Sequence, residues 1–155
     1  MAWHAIKVSS FQRGDSVLVV GGGPIGLAVV QILKALGANK IIVSEISATR
    51  RNFASDFGAQ ILLDPAKDNI VERCREICDG EGVDVAFDAA GAQSGIDAAV
   101  NAVRARGMVV NIAIWDQRAT IQPNLLVLKE RSYMGVATYY DGDFQEVIDA
   151  ISSGK

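Results

Sequence analysis

Gly21, Gly23 and Gly26 stand in a G-x-G-x-x-G spacing that follows the apolar run Leu18-Val19-Val20 and precedes a stretch with helical apolar periodicity. Glycines at this spacing let a chain turn sharply, bring its backbone into contact with a ligand, and pack the following helix closely on the preceding strand. Pro24 suits the first turn of that helix. Its missing N–H would have had no intrahelical partner there, and the neighbouring N–H groups point at an incoming anion. The chemistry on offer is the cradling of a pyrophosphate. A plain strand-to-helix turn can carry the same three glycines, so the flanking elements must decide.

Glu45 is the second half of the signal. It closes the next apolar strand about 20 residues after the turn, where a carboxylate can accept hydrogen bonds from ribose hydroxyls. The same charge repels a 2′-phosphate at close range, so NAD is expected over NADP. Arg50 and Arg51 pull the other way, because a guanidinium near the acid accommodates a 2′-phosphate; solvated positions on a helix first turn account equally for at least one of them. Cys74 and Cys78 lie four apart on an expected helix, but a soft metal needs more such ligands, and the one histidine, His4, is distant in sequence. Reduced, buried or half-buried thiols are therefore expected, with no metal site, and His4 is read as structural or exposed. No residue is assigned to catalysis.

The elements that would position these groups alternate regularly. Strands are expected at Ser16–Val20, Lys40–Ser44, Ile61–Leu63, Val83–Phe87, Met108–Ile114 and Tyr133–Thr138. Between them lie helices at Pro24–Leu36, at Ala48–Phe57 behind a Ser47 cap, from an Asp68 cap to about Cys78, and at Ile96–Ala105. A helical turn at Asn124–Lys129 and a final amphipathic helix through Phe144, Val147, Ile148 and Ile151 complete the set. Short apolar strands joined by helices specify a parallel sheet covered on both faces. The fold class is thus α/β: a six-stranded doubly wound sheet of order 3-2-1-4-5-6, the Rossmann arrangement. Ligands in such sheets bind beyond the carboxyl ends of the strands, at Gly21–Gly26, Glu45–Ser47, Asp88–Gly91, Ile112–Trp115 and Val136–Tyr139.

Composition agrees with a single globular domain over residues 1–155. Half of the residues are hydrophobic and 21% are charged. The net charge is −3, the isoelectric point about 5.1, and the basic residues are scattered, which argues against a nucleic-acid or anionic membrane partner. No apolar run approaches the roughly 18 residues of a spanning helix and no signal-peptide layout opens the chain, so a cytoplasmic location is expected. Residues 1–10, with Trp3, Ile6 and Val8 apolar, read as the tail of a helix that belongs to an upstream domain.

Three strings together resemble the cofactor domain of the medium-chain dehydrogenase/reductases: Gly21-Gly22-Gly23-Pro24-Ile25-Gly26-Leu27-Ala28, Glu45-Ile46-Ser47-Ala48-Thr49-Arg50, and Val83-Asp84-Val85-Ala86-Phe87-Asp88-Ala89-Ala90-Gly91. The branch they look most like is that of the zinc-dependent sorbitol and butanediol dehydrogenases, and Trp3-His4-Ala5 looks like the family segment entering the cofactor domain. The resemblance implies that backbone of Gly23, Pro24 and Ile25 meets the pyrophosphate, with Ile25 against the nicotinamide. It implies that Glu45 holds the ribose, that Arg50 lies along the adenosine, and that Ala90 and Gly91 border the cofactor's middle. Backbone near Ile112, Ile114, Val136 and Thr138 would bind the carboxamide. Asn111 and Ala113 depart from residues common in the family, as does Thr138. Zinc and the proton relay would belong to a catalytic domain outside this chain, which by itself is expected to be inactive.

The implied activity is hydride transfer between a secondary alcohol or polyol and NAD. The alternatives are a zinc-free NADPH-dependent quinone or enoyl reductase domain, against which Glu45 speaks, and a non-catalytic NAD-sensing regulatory domain. A methyltransferase sheet would end in an antiparallel hairpin, and the short-chain dehydrogenases are set aside because no Tyr-x-x-x-Lys occurs. Expected partners are the nicotinamide dinucleotide, the chain's own catalytic domain, and a second copy paired through an edge strand at Arg118–Ile121 beside strand six.

Overall fold

The computed structural model describes residues 1–153; Gly154 and Lys155, the end of the expected domain, lie outside the described residues. Six parallel strands form one sheet in the order β3-β2-β1-β4-β5-β6. They are β1 (Ser16–Val20), β2 (Lys40–Ser44), β3 (Ile61–Leu63), β4 (Val83–Asp88), β5 (Val103–Asn111) and β6 (Ser132–Gly135). The helices are α1 (Ala2–Val8), α2 (Pro24–Leu36), α3 (Ala48–Phe57), α4 (Ile70–Ile77), α5 (Gln93–Ala102), α6 (Asn124–Val127) and α7 (Asp141–Ser152).

Because successive strand residues face opposite sides, the apolar runs build two cores at once. Val17 and Val19 of β1 join Val29, Val30 and Leu33 of α2, together with Ile6 of α1, on one face. Leu18 and Val20 join Ile70 and Cys74 of α4 and Ile96, Ala99 and Val100 of α5 on the other. Each fully buried Val, Leu or Ile side chain contributes about 1.5–3 kcal/mol, so β1, buried along its whole length, anchors the sheet. β1 pairs with β2 from Ser16↔Lys40 to Val20↔Ser44 and with β4 from Val17↔Val85 to Val20↔Asp88. The reversal of strand order beside β1 therefore opens a crevice at the carboxyl ends of β1 and β4.

Several boundaries differ from the sequence expectation, each for a local reason. Asn69, not Asp68, caps α4: its side chain accepts the Glu72 N–H, while the Asp68 carboxylate turns back to accept the Asp64 N–H at 2.7 Å. Helix α5 runs three residues earlier than expected because Val103 is already extended and pairs with Val83, starting β5 ahead of Met108. β5 stops at Asn111, whose amide turns to the Ala113 carbonyl and accepts the Trp115 indole N–H. β6 ends at Gly135, and Thr138 beyond it takes a φ of +56°.

The edge strand expected at Arg118–Ile121 is not formed in the single chain. That segment is irregular, and the Gln93 amide at the start of α5 holds Thr120 at both its N–H and its carbonyl, at 2.9 and 2.8 Å.

Candidate functional site

The turn between β1 and α2 behaves as its glycines require. Gly21 has a φ of +97°, and a Cβ there would stand 3.1 Å from the Ala90 nitrogen. At Gly26 a Cβ would fall 1.9 Å from the Gly21 carbonyl oxygen, so helix and turn touch backbone to backbone. Gly23 is the opposite case. It is the N-cap of α2 in extended conformation, and a Cβ on it would meet nothing within 4 Å. That open volume lies at a helix N-terminus opened by Pro24, the place where backbone N–H groups and the helix dipole favour an anion. Ile25 is exposed on the first turn.

Glu45 leaves the end of β2 and is 6% exposed. One carboxylate oxygen, Oε2, accepts the Gly22 N–H at 2.7 Å, and Oε1 accepts the Ser47 N–H at 2.8 Å. An ionised carboxylate has about four lone-pair sites, so two remain for donors arriving from the cleft that Glu45 lines. The two arginines separate. Arg51 donates to the Glu45 and Ile46 carbonyls and pairs with Asp64 at 3.2 Å, which makes it a brace of the β2–α3 loop. Arg50 stays exposed on the cleft wall with Nη1 4.0 Å from Glu45 Oε2.

Across the crevice, Asp88 ends β4 and shapes the Ala89-Ala90-Gly91 turn: its Oδ1 accepts the Ala90 and Gly91 N–H groups at 3.0 and 3.3 Å. Burial pushes its carboxyl above the ordinary carboxylate range, partly offset by those two N–H groups. Gly91 (φ +66°) stands against Ala113 and Ile114, so the β4 and β5 loops abut. The Val136 N–H continues the ladder onto the Asn111 carbonyl at 2.9 Å, which brings the β6 end alongside.

The expected residues thus divide into two groups. Gly21, Gly23, Glu45, Arg50 and Ala90 line one cleft of about 670 Å³, whose lining also includes Pro65, Asn69 and Asp97. That size suits a nucleotide-sized ligand. Pro24, Ile25, Gly26, Gly91, Ile112, Ile114, Val136 and Thr138 lie outside its lining. Ile112 is buried in the core, so only its backbone can face a ligand, and its N–H already donates to the Asp88 carbonyl. Ile114 is 88% exposed. Sequence reasoning did not assign Gly22 or Asp88, although Gly22 sits inside the glycine string and Asp88 is the acid opening the β4 loop. Gly22 acts through a hydrogen bond to Glu45, 23 residues on, that only the assembled strand ends create, whereas the Asp88 side chain bonds the nearby Ala90 and Gly91 N–H groups, a local pattern an acid two and three residues ahead could have signalled.

Among the described residues no group of three or more His, Cys, Asp or Glu side chains is placed to hold a metal. Cys74 and Cys78 are free, the first buried and the second half-buried. His4 is buried with Nδ1 2.6 Å from Asp143 Oδ2 and its ring edge-on to Tyr140, a structural placement. No helix among the described residues is long and apolar enough to cross a membrane.

Comparison with known proteins gives one consistent result. The family model described as zinc-binding dehydrogenase matches residues 24–153. An (R,R)-butanediol dehydrogenase of Saccharomyces cerevisiae is 36% identical over 160 residues, covering 99% of this chain and 41% of its own length. The crystal structure of 2R,3R-butanediol dehydrogenase from Bacillus subtilis superposes with a TM-score of 0.92 at 38% identity, over 99% of this chain and 44% of that one. A zinc-binding dehydrogenase of Sinorhizobium meliloti, solved bound to NADP, gives 0.90 at 27% identity over 99% and 46%. The chain therefore spans about two fifths of the relatives it matches. With its strand order, glycine turn and strand-end loops all in agreement, it belongs to the zinc-dependent medium-chain dehydrogenase/reductase family, in the sorbitol and butanediol dehydrogenase branch.

Proposed function

We propose that this chain binds NAD and serves as the cofactor-binding part of a dehydrogenase that moves hydride between a secondary alcohol or polyol and the nicotinamide. The observation that carries the reading is Glu45. A buried carboxylate, fixed by Gly22 and Ser47, borders the same cleft as the open Gly23 backbone. A diphosphate at the α2 N-terminus and a ribose at Glu45 satisfy both features. The butanediol dehydrogenases among the relatives support the substrate class.

NAD is favoured over NADP because a 2′-phosphate beside Glu45 would meet a second negative charge in a poorly hydrated setting. The competing reading has its own observations: exposed Arg50 stands beside the acid, and one structural neighbour was solved with NADP. Calorimetric titration of the chain with NADH and NADPH separates them. The expected result is NADH binding at least about tenfold tighter, a difference of about 1.4 kcal/mol. Equal or tighter NADPH binding overturns the role given to Glu45, and binding of neither cofactor overturns the whole proposal.

Among the described residues no side-chain group fits a zinc ion, so the metal, the polarisation of the alcohol and the proton relay are assigned to a catalytic domain outside these 155 residues. The contribution of this chain is position: it holds the hydride acceptor and fixes which ring face is presented. The exposed apolar side chains Tyr139, Phe144, Ile148 and Ile151 on and before α7 offer a surface for that domain. The open edge of β6 offers one for a second copy. Unpaired thiols and an acidic chain are consistent with a cytoplasmic setting.

A further inference from the structure

Asp88 is fully buried at the point where three strand ends meet, in register with Val20 of β1 and Asn111 of β5. Four backbone N–H groups converge on this one residue. Its Oδ1 takes those of Ala90 and Gly91, and its main-chain carbonyl takes those of Ile112 and Ala113 at 2.9 and 3.1 Å. The remaining carboxylate oxygen, Oδ2, is buried and has no hydrogen-bond partner. Among the described residues no arginine, lysine or histidine pairs with the carboxylate. A buried acid left this way is costly, and an apolar side chain would pack the site more cheaply. The fold keeps a carboxylate there, and its Oδ1 holds a loop that includes Gly91 at a φ of +66° against Ala113 and Ile114.

We propose that Asp88 is a positioning residue for the nicotinamide half of the site: through its side chain it sets the β4 loop, and through its carbonyl the β5 loop, so that both face the ring together. The proposal rests on the cofactor reading above. Ala89 and Ala90 of the β4 loop also line the cleft, but Glu45, Arg50, Pro65 and Asn69 in that lining stand on other elements, so the adenosine half depends on Asp88 less. Asp88 therefore acts on the margin by which a whole dinucleotide outbinds its adenosine fragment.

The test compares NADH with 5′-AMP by calorimetry on the full chain and on Asp88→Ala and Asp88→Asn. Asp88→Ala removes the Oδ1 acceptor and frees the Ala90 and Gly91 N–H groups, and NADH affinity is expected to fall by about tenfold as the loop loses its set position. AMP affinity is expected to stay within about twofold of the unsubstituted chain. Asp88→Asn keeps an oxygen facing the Ala90 and Gly91 N–H groups and is expected to restore most of the NADH margin. Three results overturn the proposal: equal loss of both ligands in Asp88→Ala, no loss of either, or an Asn variant as weak as the Ala variant. Failure of the unsubstituted chain to bind NADH and AMP at all is a different outcome and overturns the cofactor reading instead.

Discussion

The glycines of the β1–α2 turn look alike in the sequence, yet their surroundings make opposite demands, and two alanine substitutions expose the difference. In Gly26→Ala the new methyl would lie 1.9 Å from the Gly21 carbonyl oxygen, a backbone atom that cannot step aside. The expected cost is about 3 kcal/mol, seen as a lowered thermal midpoint. Gly23→Ala meets nothing within 4 Å and has an ordinary backbone conformation, so its stability is expected to change by less than about 1 kcal/mol. The same methyl would occupy the space a diphosphate needs, and NADH affinity is expected to fall by at least about tenfold in calorimetry. At Glu45 the alanine variant strips partners from the Gly22 and Ser47 N–H groups together, for an expected loss of about 2 kcal/mol in denaturant unfolding. The cysteines give a third contrast. Burial pushes the Cys74 thiol up to about 12, so alkylation at pH 8 is expected to modify Cys78 first and to reach Cys74 only as the chain unfolds. Mass spectrometry of the labelled peptides measures that order.

Among the elements, α1 and α7 form a junction held by charge rather than by apolar packing alone. Asp143 of α7 accepts the Tyr140 N–H at 2.8 Å and faces His4 and Lys7 of α1, while Glu146 takes Lys7 and the Trp3 indole at 2.6 and 2.7 Å. The Tyr140 N–H above all, then Lys7 and the charge of His4, holds the Asp143 carboxyl below its ordinary value of 3.8. A depressed folded-state value stabilises the fold above pH 3.8, and that stability is lost as the pH falls through the lower folded value. Asp143→Asn is therefore expected to melt below the unsubstituted chain at neutral pH, with the gap closing under acid conditions below pH 3.8. A gap that persists unchanged in acid would rule out the charge as its source. This junction also marks what the sequence could not show. Helical periodicity and continuous apolar runs located almost every helix and strand, and their alternation specified a parallel sheet whose order followed from a switch of winding after the third strand. The tie of His4 to Asp143 and the bonds of Ile112 and Ala113 to the Asp88 carbonyl join residues far apart in the chain, and no spacing rule encodes them. The boundary errors have the same origin: Val103 is helical by local pattern, and pairing with Val83 pulls it into β5.

At the scale of the whole molecule, the site is asymmetric. On the cofactor reading proposed above, the cleft takes the pyrophosphate and adenosine, whereas Ile114 and Val136–Thr138 at the strand ends lie outside its lining, with Ile114 almost fully in solvent. Such a half-built site should recognise one end of a dinucleotide far better than the other. AMP is expected to bind this chain with all but about 1.4 kcal/mol of the NADH binding free energy, and nicotinamide mononucleotide should show no measurable heat at comparable concentration. The reverse order would mean that the cleft at Glu45 is not the adenosine site. The same asymmetry predicts the catalytic behaviour. If the ring lies at those solvent-facing strand ends, and with no metal-holding cluster among the described residues, NADH and a diketone or hydroxyketone should give no absorbance change at 340 nm. Adding the catalytic domain proposed above in trans tests whether Tyr139, Phe144, Ile148 and Ile151 are its docking face. Reconstituted turnover that Phe144→Asp abolishes, with NADH affinity of the isolated chain unchanged, is the expected result. Turnover by the isolated chain would instead place reacting groups on this sheet that its residues do not provide.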